Sequence, residues 1–335
     1  MKVVAITGKQ ECGLVDRPDP KIRGEFVRVR ITSSPMCTEF KSYKEGWKSD
    51  SLGHEAAGVV AEVARTGAFK PGDRVVVMPQ YPCGRCELCL AGDYIHCEHT
   101  IDPLACCGSQ TGTATYAQYA IKQDWLLLPV PEDISIDHAA MACCGLGPTF
   151  GALQRLGSVA FDTVLVIGLG PVGLGAVINS RYRGARVIGL ESNPYRAVLA
   201  QRLGAETVVN PDDSEALAQI KALTGGRGAD AIIECSAVPA AQRFALQAAR
   251  RRGKVAFVGW GGHFEVDNMI PTGLDLSGCW HWNLHDQSRM WQTIRACSTQ
   301  LDLLITHRFP MSQVKEAWEL QLSGQCGKVI LDPWS

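Results

Sequence analysis

The chain has 335 residues, of which 46% are hydrophobic, and a net charge of −1 with both signs mixed throughout. That length is long for one core and comfortable for two domains. No basic tract speaks for a nucleic-acid partner, and no run is apolar and long enough to span a bilayer. Cysteine is abundant, at 14 residues. The opening Met1–Thr7 reads as a strand and lacks the apolar core of a signal peptide, so the thiols point to metal ligands and buried side chains in the cytoplasm rather than to disulfides.

Residues 1 to about 35 alternate strand-like runs with Pro/Gly turns, and Phe26–Ile31 has the period of a half-buried strand. Ser34-Pro-Met-Cys37-Thr-Glu39 reads as a helix start after a loop. Gly53-His54-Glu55-Ala-Ala-Gly58 leads into an alternating strand at 59–63, and Lys70-Pro-Gly-Asp-Arg74 turns into another at 75–78. Cys37 alone reads as a small buried hydrophobe, and His54-Glu55 gains meaning only beside other ligands.

Cys83, Cys86, Cys89 and Cys97 are the sharpest metal signal. Four thiolates around one ion, with no open position, describe a structural zinc; a four-cysteine iron–sulfur cluster is the rival. Asp102–Gln110, with Cys106 and Cys107, shows no clear local structure, and Gly112–Ala120 reads as a strand. Ile136 to Ala152 reads as helix, break and helix, with the break at Cys144-Gly145 marking the passage to a second domain.

That second domain opens on Thr163–Ile167, a buried strand, followed by Gly168-Leu-Gly170-Pro171-Val172-Gly173, a helix-like run, and a strand ending at Glu191. The ordered set is a dinucleotide fingerprint: glycines for the tight turn, for backbone approach to a pyrophosphate and for helix–strand packing. The helix N-terminus favours the phosphates, and Glu191 can accept bonds from both ribose hydroxyls, which favours NAD over NADP. The alternation continues with helices at 194–203, 214–223 and 240–251 and strands at 207–209, 231–235 and 254–258, which implies a parallel, doubly wound sheet. Arg250–Arg252 reads as a solvated cap on a helix C-terminus. From about 285 the rhythm breaks into a long helix at 290–297, a second at 313–322 and a closing strand at 328–331, so the tail is expected to return to the first domain.

Together these motifs resemble the zinc-dependent medium-chain dehydrogenases of alcohols and polyols, over nearly the whole chain. The resemblance implies an α/β fold in which a Rossmann doubly wound sheet is inserted into a mainly β GroES-like catalytic domain. The expected divisions are 1–148, with a zinc lobe at about 80–100, then 149–284, then 285–335. It implies two zinc ions and NAD per chain. The catalytic zinc falls to Cys37, His54 and Cys144, with Cys143 as the neighbouring rival and Glu55 supporting or transiently ligating the ion. Thr38, Gly168, Gly170, Pro171, Val172, Gly173, Glu191 and Arg196 fall to the cofactor. Where the family offers Ser or Thr two residues after the first ligand, this chain has Glu39, and where a relaying histidine often follows it has Ser42. Tyr43 matches a tyrosine that polyol dehydrogenases keep near the substrate.

On this reading zinc supplies Lewis acidity, NAD the hydride acceptor, and Glu39 a proton acceptor. The expected substrate is a small alcohol or carbonyl compound, first a secondary alcohol of a polyol, sugar or cyclitol. Simple alcohols and aldehyde or ketone reduction are the enzyme alternatives, and a non-catalytic nucleotide-binding protein with structural zinc only is the alternative of another class. The expected state is a homodimer or homotetramer, without nucleic acid or membrane. Cys279-Trp280-His281-Trp282 and Trp47 stand between a substrate rim and ordinary core or subunit packing.

Overall fold

The computed structural model describes residues 1–157, 160–262 and 269–335, which fall into two compact units. The first comprises Met1–Cys144, Asn283–Arg295 and Ile305–Ser335; the second comprises Gly145–Trp282 and Ala296–Leu304. Among the described residues no helix is long and apolar enough to cross a membrane.

The first unit is mainly β. Its larger sheet runs in the order Ile305–Pro310, Lys328–Asp332, Phe26–Pro35, Ala56–Val63, Arg74–Val77, Leu127–Pro129, with Tyr119–Gln123 also paired to Phe26–Pro35. A hairpin of Lys2–Gly8 and Glu11–Asp16 stands beside it as a separate two-stranded sheet. Alternating apolar residues Val27, Val29 and Ile31 meet Ala56, Val60, Val75 and Val77 in one core cluster. The closing strand, 328–332, pairs antiparallel with Ser34 and Pro35, so residues from opposite ends of the chain reach the segment that carries Cys37.

The second unit holds six parallel strands among its described residues, in the order Thr207–Val209, Arg186–Leu190, Thr163–Ile167, Ala229–Glu234, Ala249–Phe257, Asp275–Gly278. Counted along the chain this is the 3-2-1-4-5-6 order of a dinucleotide-binding sheet. Ile167 aligns with Leu190 on one side and Glu234 on the other, so the turns after these strands emerge at one level. Helix Gly147–Leu156 packs against Pro171–Tyr182 at very close range: a Cβ on Gly175 would lie 1.9 Å from the Gly145 carbonyl oxygen. Buried Asn179 bonds the Leu146 carbonyl and the Thr149 hydroxyl across the same contact.

Three local expectations change. Asp102–Gln110 is not irregular: Asp102 Oδ1 accepts from the N–H groups of Leu104 and Ala105, and Pro103 opens a helix to Cys107. Asp-Pro before an apolar run is a helix-start signal, so this element was legible. The helix expected over 240–251 ends at Ala248, and Arg250–Arg252 lies within the strand Ala249–Phe257, where the register shifts and Arg252 takes φ 58°. Arg250 pairs with Asp230 while Arg251 and Arg252 are exposed, so the triplet decorates a bulge and caps no helix. Finally, the helix expected at 290–297 is present as Gln287–Ala296, but the helix after it, Ser298–Leu304, packs on the nucleotide-sheet helices instead of returning with the rest of the tail.

Candidate active site

Cys37 follows the long strand Phe26–Pro35 and precedes the short helix Phe40–Glu45. His54 and Glu55 stand just before strand Ala56–Val63, and Cys144 ends the chain segment after helix Ile136–Ala140. Folding brings one donor atom of each of these four residues within 4.8 Å of the others. His54 Nε2 lies 3.3 Å from Cys144 Sγ and 4.0 Å from Glu55 Oε1. Cys143 turns away: it is buried, with Sγ 3.5 Å from the Val77 carbonyl.

Each donor is tied down from behind. His54 Nδ1 is 2.7 Å from Glu39 Oε1, which leaves Nε2 to face the thiols. The other Glu39 oxygen accepts from the Tyr116 hydroxyl at 2.8 Å, and that hydroxyl accepts from the Cys37 N–H at 3.2 Å. Gln321 donates to the Cys37 carbonyl. Glu55 Oε2 accepts from the Cys144 N–H at 3.1 Å, and its Oε1 meets Lys328 Nζ at 2.7 Å. Burial alone would raise the Glu39 carboxyl, but the hydrogen bond and charge of His54, with the Tyr116 hydroxyl, outweigh it and hold Glu39 down at about 2. Cys144 hydrogen bonding, against burial and aided by the charges of Lys328 and His54, holds the Cys37 thiol well below its ordinary value. Two sulfurs, an imidazole nitrogen turned inward by a carboxylate, and a second carboxylate form a donor set that suits zinc.

These contacts bear on the residues expected around the catalytic zinc. Glu39, expected as a proton acceptor, has both its oxygens engaged, one by His54 and one by Tyr116. Tyr43, expected near the substrate, is fully buried in the core of the first unit and stacks on Trp318 at 4.9 Å. Ser42 sits on the short helix, its carbonyl accepting from Gly46 and Trp47, while Thr38 is exposed directly beside Cys37. Tyr116 and Lys328 are the residues that sequence reading left without a role. Lys328 opens the closing strand expected at 328–331, but nothing local marks its partner.

The four lobe cysteines also converge, with their sulfurs within 4.8 Å of one another. The N–H groups of Cys83 and His99 donate to Cys97 Sγ, and backbone bonding lowers the Cys83 thiol to about 6, both features of a thiolate centre. Asn283 fastens the lobe by donating to the Ala91 carbonyl and to Asp93.

In the second unit, Gly168 takes φ 80°, and a Cβ on Gly173 would lie 1.9 Å from the Gly168 carbonyl oxygen. Gly170 has open space where its Cβ would stand and precedes a helix with Pro171 at its first position and no side-chain cap, so the helix N–H groups remain available. Pro171 and Val172 are half-buried at this turn. Glu191 accepts from the Leu169 N–H at 2.7 Å and the Asn193 N–H at 2.9 Å, which holds its carboxylate beside the turn. Arg196 lies one turn along the next helix, its Nε buried. A glycine cradle, an open helix start and a fixed acid fit a dinucleotide. Trp282 is core: it packs edge-on to Phe150, and Gly151 has no Cβ because the His281 carbonyl would lie 2.2 Å from it. Trp47 is largely exposed.

Residues 24–132 match the alcohol dehydrogenase GroES-like domain, and residues 171–297 match the zinc-binding dehydrogenase domain. L-threonine 3-dehydrogenase of Symbiobacterium thermophilum is 31% identical, over 96% of this chain and 94% of its own length. The chain belongs to the zinc-dependent medium-chain dehydrogenase family. Sorbitol dehydrogenase of Bacillus subtilis is 30% identical over 99% of this chain and 97% of its own. The crystal structure of an NAD-dependent alcohol dehydrogenase superposes with a TM-score of 0.82 at 25% identity, over 99% of both chains. This dehydrogenase is thus an oxidoreductase of the zinc- and NAD-dependent type.

Proposed function

We propose that this dehydrogenase oxidises a secondary alcohol on a hydroxyl-rich substrate, a polyol, sugar or cyclitol, with NAD as acceptor. The observation that carries the catalytic reading is the convergence of Cys37, His54, Cys144 and Glu55 in a chain that also holds the dinucleotide turn. The likeness to sorbitol dehydrogenase supports the substrate class, and the likeness to L-threonine 3-dehydrogenase supports a second reading, a hydroxy amino acid.

Cys37, His54 and Cys144 would hold the catalytic zinc, and Cys83, Cys86, Cys89 and Cys97 the structural one. When bound, zinc supplies Lewis acidity and NAD the hydride acceptor. Glu39 orients His54 and keeps its proton on Nδ1. Glu55 orients the Cys144 backbone, with Lys328 balancing its charge. With Glu39 committed, we assign passage of the substrate's proton to Thr38, the exposed hydroxyl next to Cys37. Glu191 would bond the adenosine ribose and repel a 2′-phosphate. None of the 14 cysteines is paired in a disulfide, which suits a reducing compartment, the cytoplasm.

The test is NAD and NADP reduction with a panel of polyols, cyclitols, simple alcohols and L-threonine. Turnover of a polyol or cyclitol with NAD supports the first reading, and turnover confined to L-threonine selects the second. Preference for NADP would remove the role given to Glu191. Removing its charge-assisted hydrogen bond in Glu191→Ala should cost roughly 1.5–3 kcal/mol of NAD affinity.

A further inference from the structure

We propose that Tyr116 is a positioning residue of the metal centre: its one hydroxyl ties Cys37 to His54 through Glu39 and so sets the donor geometry. The proposal rests on the reading of Cys37, His54 and Cys144 as zinc ligands. A phenol has one proton to give and lone pairs to accept with. Here the lone pair takes the Cys37 N–H at 3.2 Å, and the proton goes to Glu39 Oε2 at 2.8 Å. The second Glu39 oxygen takes His54 Nδ1 at 2.7 Å. One unbroken chain of hydrogen bonds therefore runs from the backbone of one ligand to the ring of another.

The hydroxyl cannot drift from this position. Tyr116 is fully buried, and its ring lies 6.3 Å from that of Trp318. Its N–H donates to the Leu52 carbonyl, and its carbonyl accepts from the Val4 N–H. Gly53, at φ 83°, has its missing Cβ position only 2.5 Å from Tyr116 Cδ1, so the residue before His54 is a glycine that makes room for this ring. The ring is thus wedged against the segment that carries the histidine. Without the hydroxyl, Glu39 Oε2 and the Cys37 N–H both lose their partner, and the carboxylate is free to leave Nδ1. The imidazole then has no fixed tautomer with which to offer Nε2. Ring packing alone would need a phenylalanine, not a tyrosine.

Tyr116→Phe keeps the ring and deletes only the hydroxyl. Zinc content, chelator competition and the absorption spectrum after cobalt substitution are measured on the whole chain, with the four-cysteine lobe as internal reference. The expected result is an unchanged lobe, an affinity at the second site lower by about ten- to hundredfold, and shifted cobalt bands. Glu39→Gln added to Tyr116→Phe should lower affinity by less than its effect in the wild type, because the relay is already cut. Wild-type affinity and spectrum in Tyr116→Phe would overturn the proposal, and so would equal weakening of both sites, which assigns Tyr116 to packing. A wild-type chain that binds a single zinc would overturn the ligand reading beneath it.

Discussion

Lys328 Nζ stands 2.7 Å from Glu55 Oε1, with both side chains fully buried and 273 residues apart in the chain. Burial works against both ions: at Glu55 it outweighs the Lys328 charge and pushes the carboxyl up to about 7, whereas at Lys328 the charge of Glu55, and after it those of Cys37 and Cys144, prevails and holds the ammonium above the ordinary lysine range. Glu55 spends its other oxygen on the Cys144 N–H, so the pair joins the closing strand to the loop that carries the last proposed zinc ligand.

Lys328→Met should therefore leave a buried carboxylate uncompensated, at a cost of about 3–5 kcal/mol. Denaturant unfolding of the zinc-loaded protein measures this. Lys328→Met combined with Glu55→Gln should recover part of the loss, since no lone charge then remains. A single variant within about 1 kcal/mol of the wild type would show that the pair adds little.

Metal counting separates the two centres. Cys144→Ala should retain one zinc per chain and lose turnover, whereas Cys143→Ala, whose sulfur faces the Val77 carbonyl, should retain two. Cys97→Ala should lose the lobe ion and loosen the segment that Asn283 fastens. Retention of both metals in Cys144→Ala would move that ligand position elsewhere.

Two glycines of one turn should fail in different ways. Gly173→Ala puts a methyl 1.9 Å from the Gly168 carbonyl oxygen, so the strand–helix junction must open and the nucleotide unit should lose stability. Gly170 meets nothing within 4 Å and has an ordinary φ of −63°, so Gly170→Ala should fold like the wild type yet bind NAD more weakly. Thermal melts with and without NAD distinguish the two, and equal stability of both variants would contradict the packing argument.

Asp230 supplies a pH dependence in the nucleotide unit. Burial pushes its carboxyl up, but the Thr163 N–H and the Arg250 guanidinium prevail and hold it below the ordinary aspartate range. A carboxyl lowered by folding stabilises the protein above its unfolded pKa of about 3.9, and that contribution is lost as pH falls through the folded value. The stability gap between wild type and Asp230→Asn should be full at neutral pH and shrink below about pH 4. A gap independent of pH across unfolding titrations would remove the ionic part of this contact.

What the sequence determined on its own was chemistry held in contiguous residues. The strand, glycine turn, helix and acid from Thr163 to Glu191 are local, as is the spacing of Cys83, Cys86, Cys89 and Cys97, so periodicity and residue type suffice to read them. Which side chains face one another was decided only by tertiary structure. Glu39 meets Tyr116 across 77 residues of chain, and Lys328 meets Glu55 across 273. Cys143 and Cys144 are neighbours in sequence, and the resemblance favours Cys144; the fold turns the Cys144 sulfur to His54 and the Cys143 sulfur to the Val77 carbonyl. Tyr43 carries a polar tip that a motif reads as a contact, yet stacking on Trp318 buries it, because a ring that completes a core gains more from leaving water than its hydroxyl gains from staying. Backbone elements follow local pattern; the partner of each polar group follows packing, which no local pattern encodes.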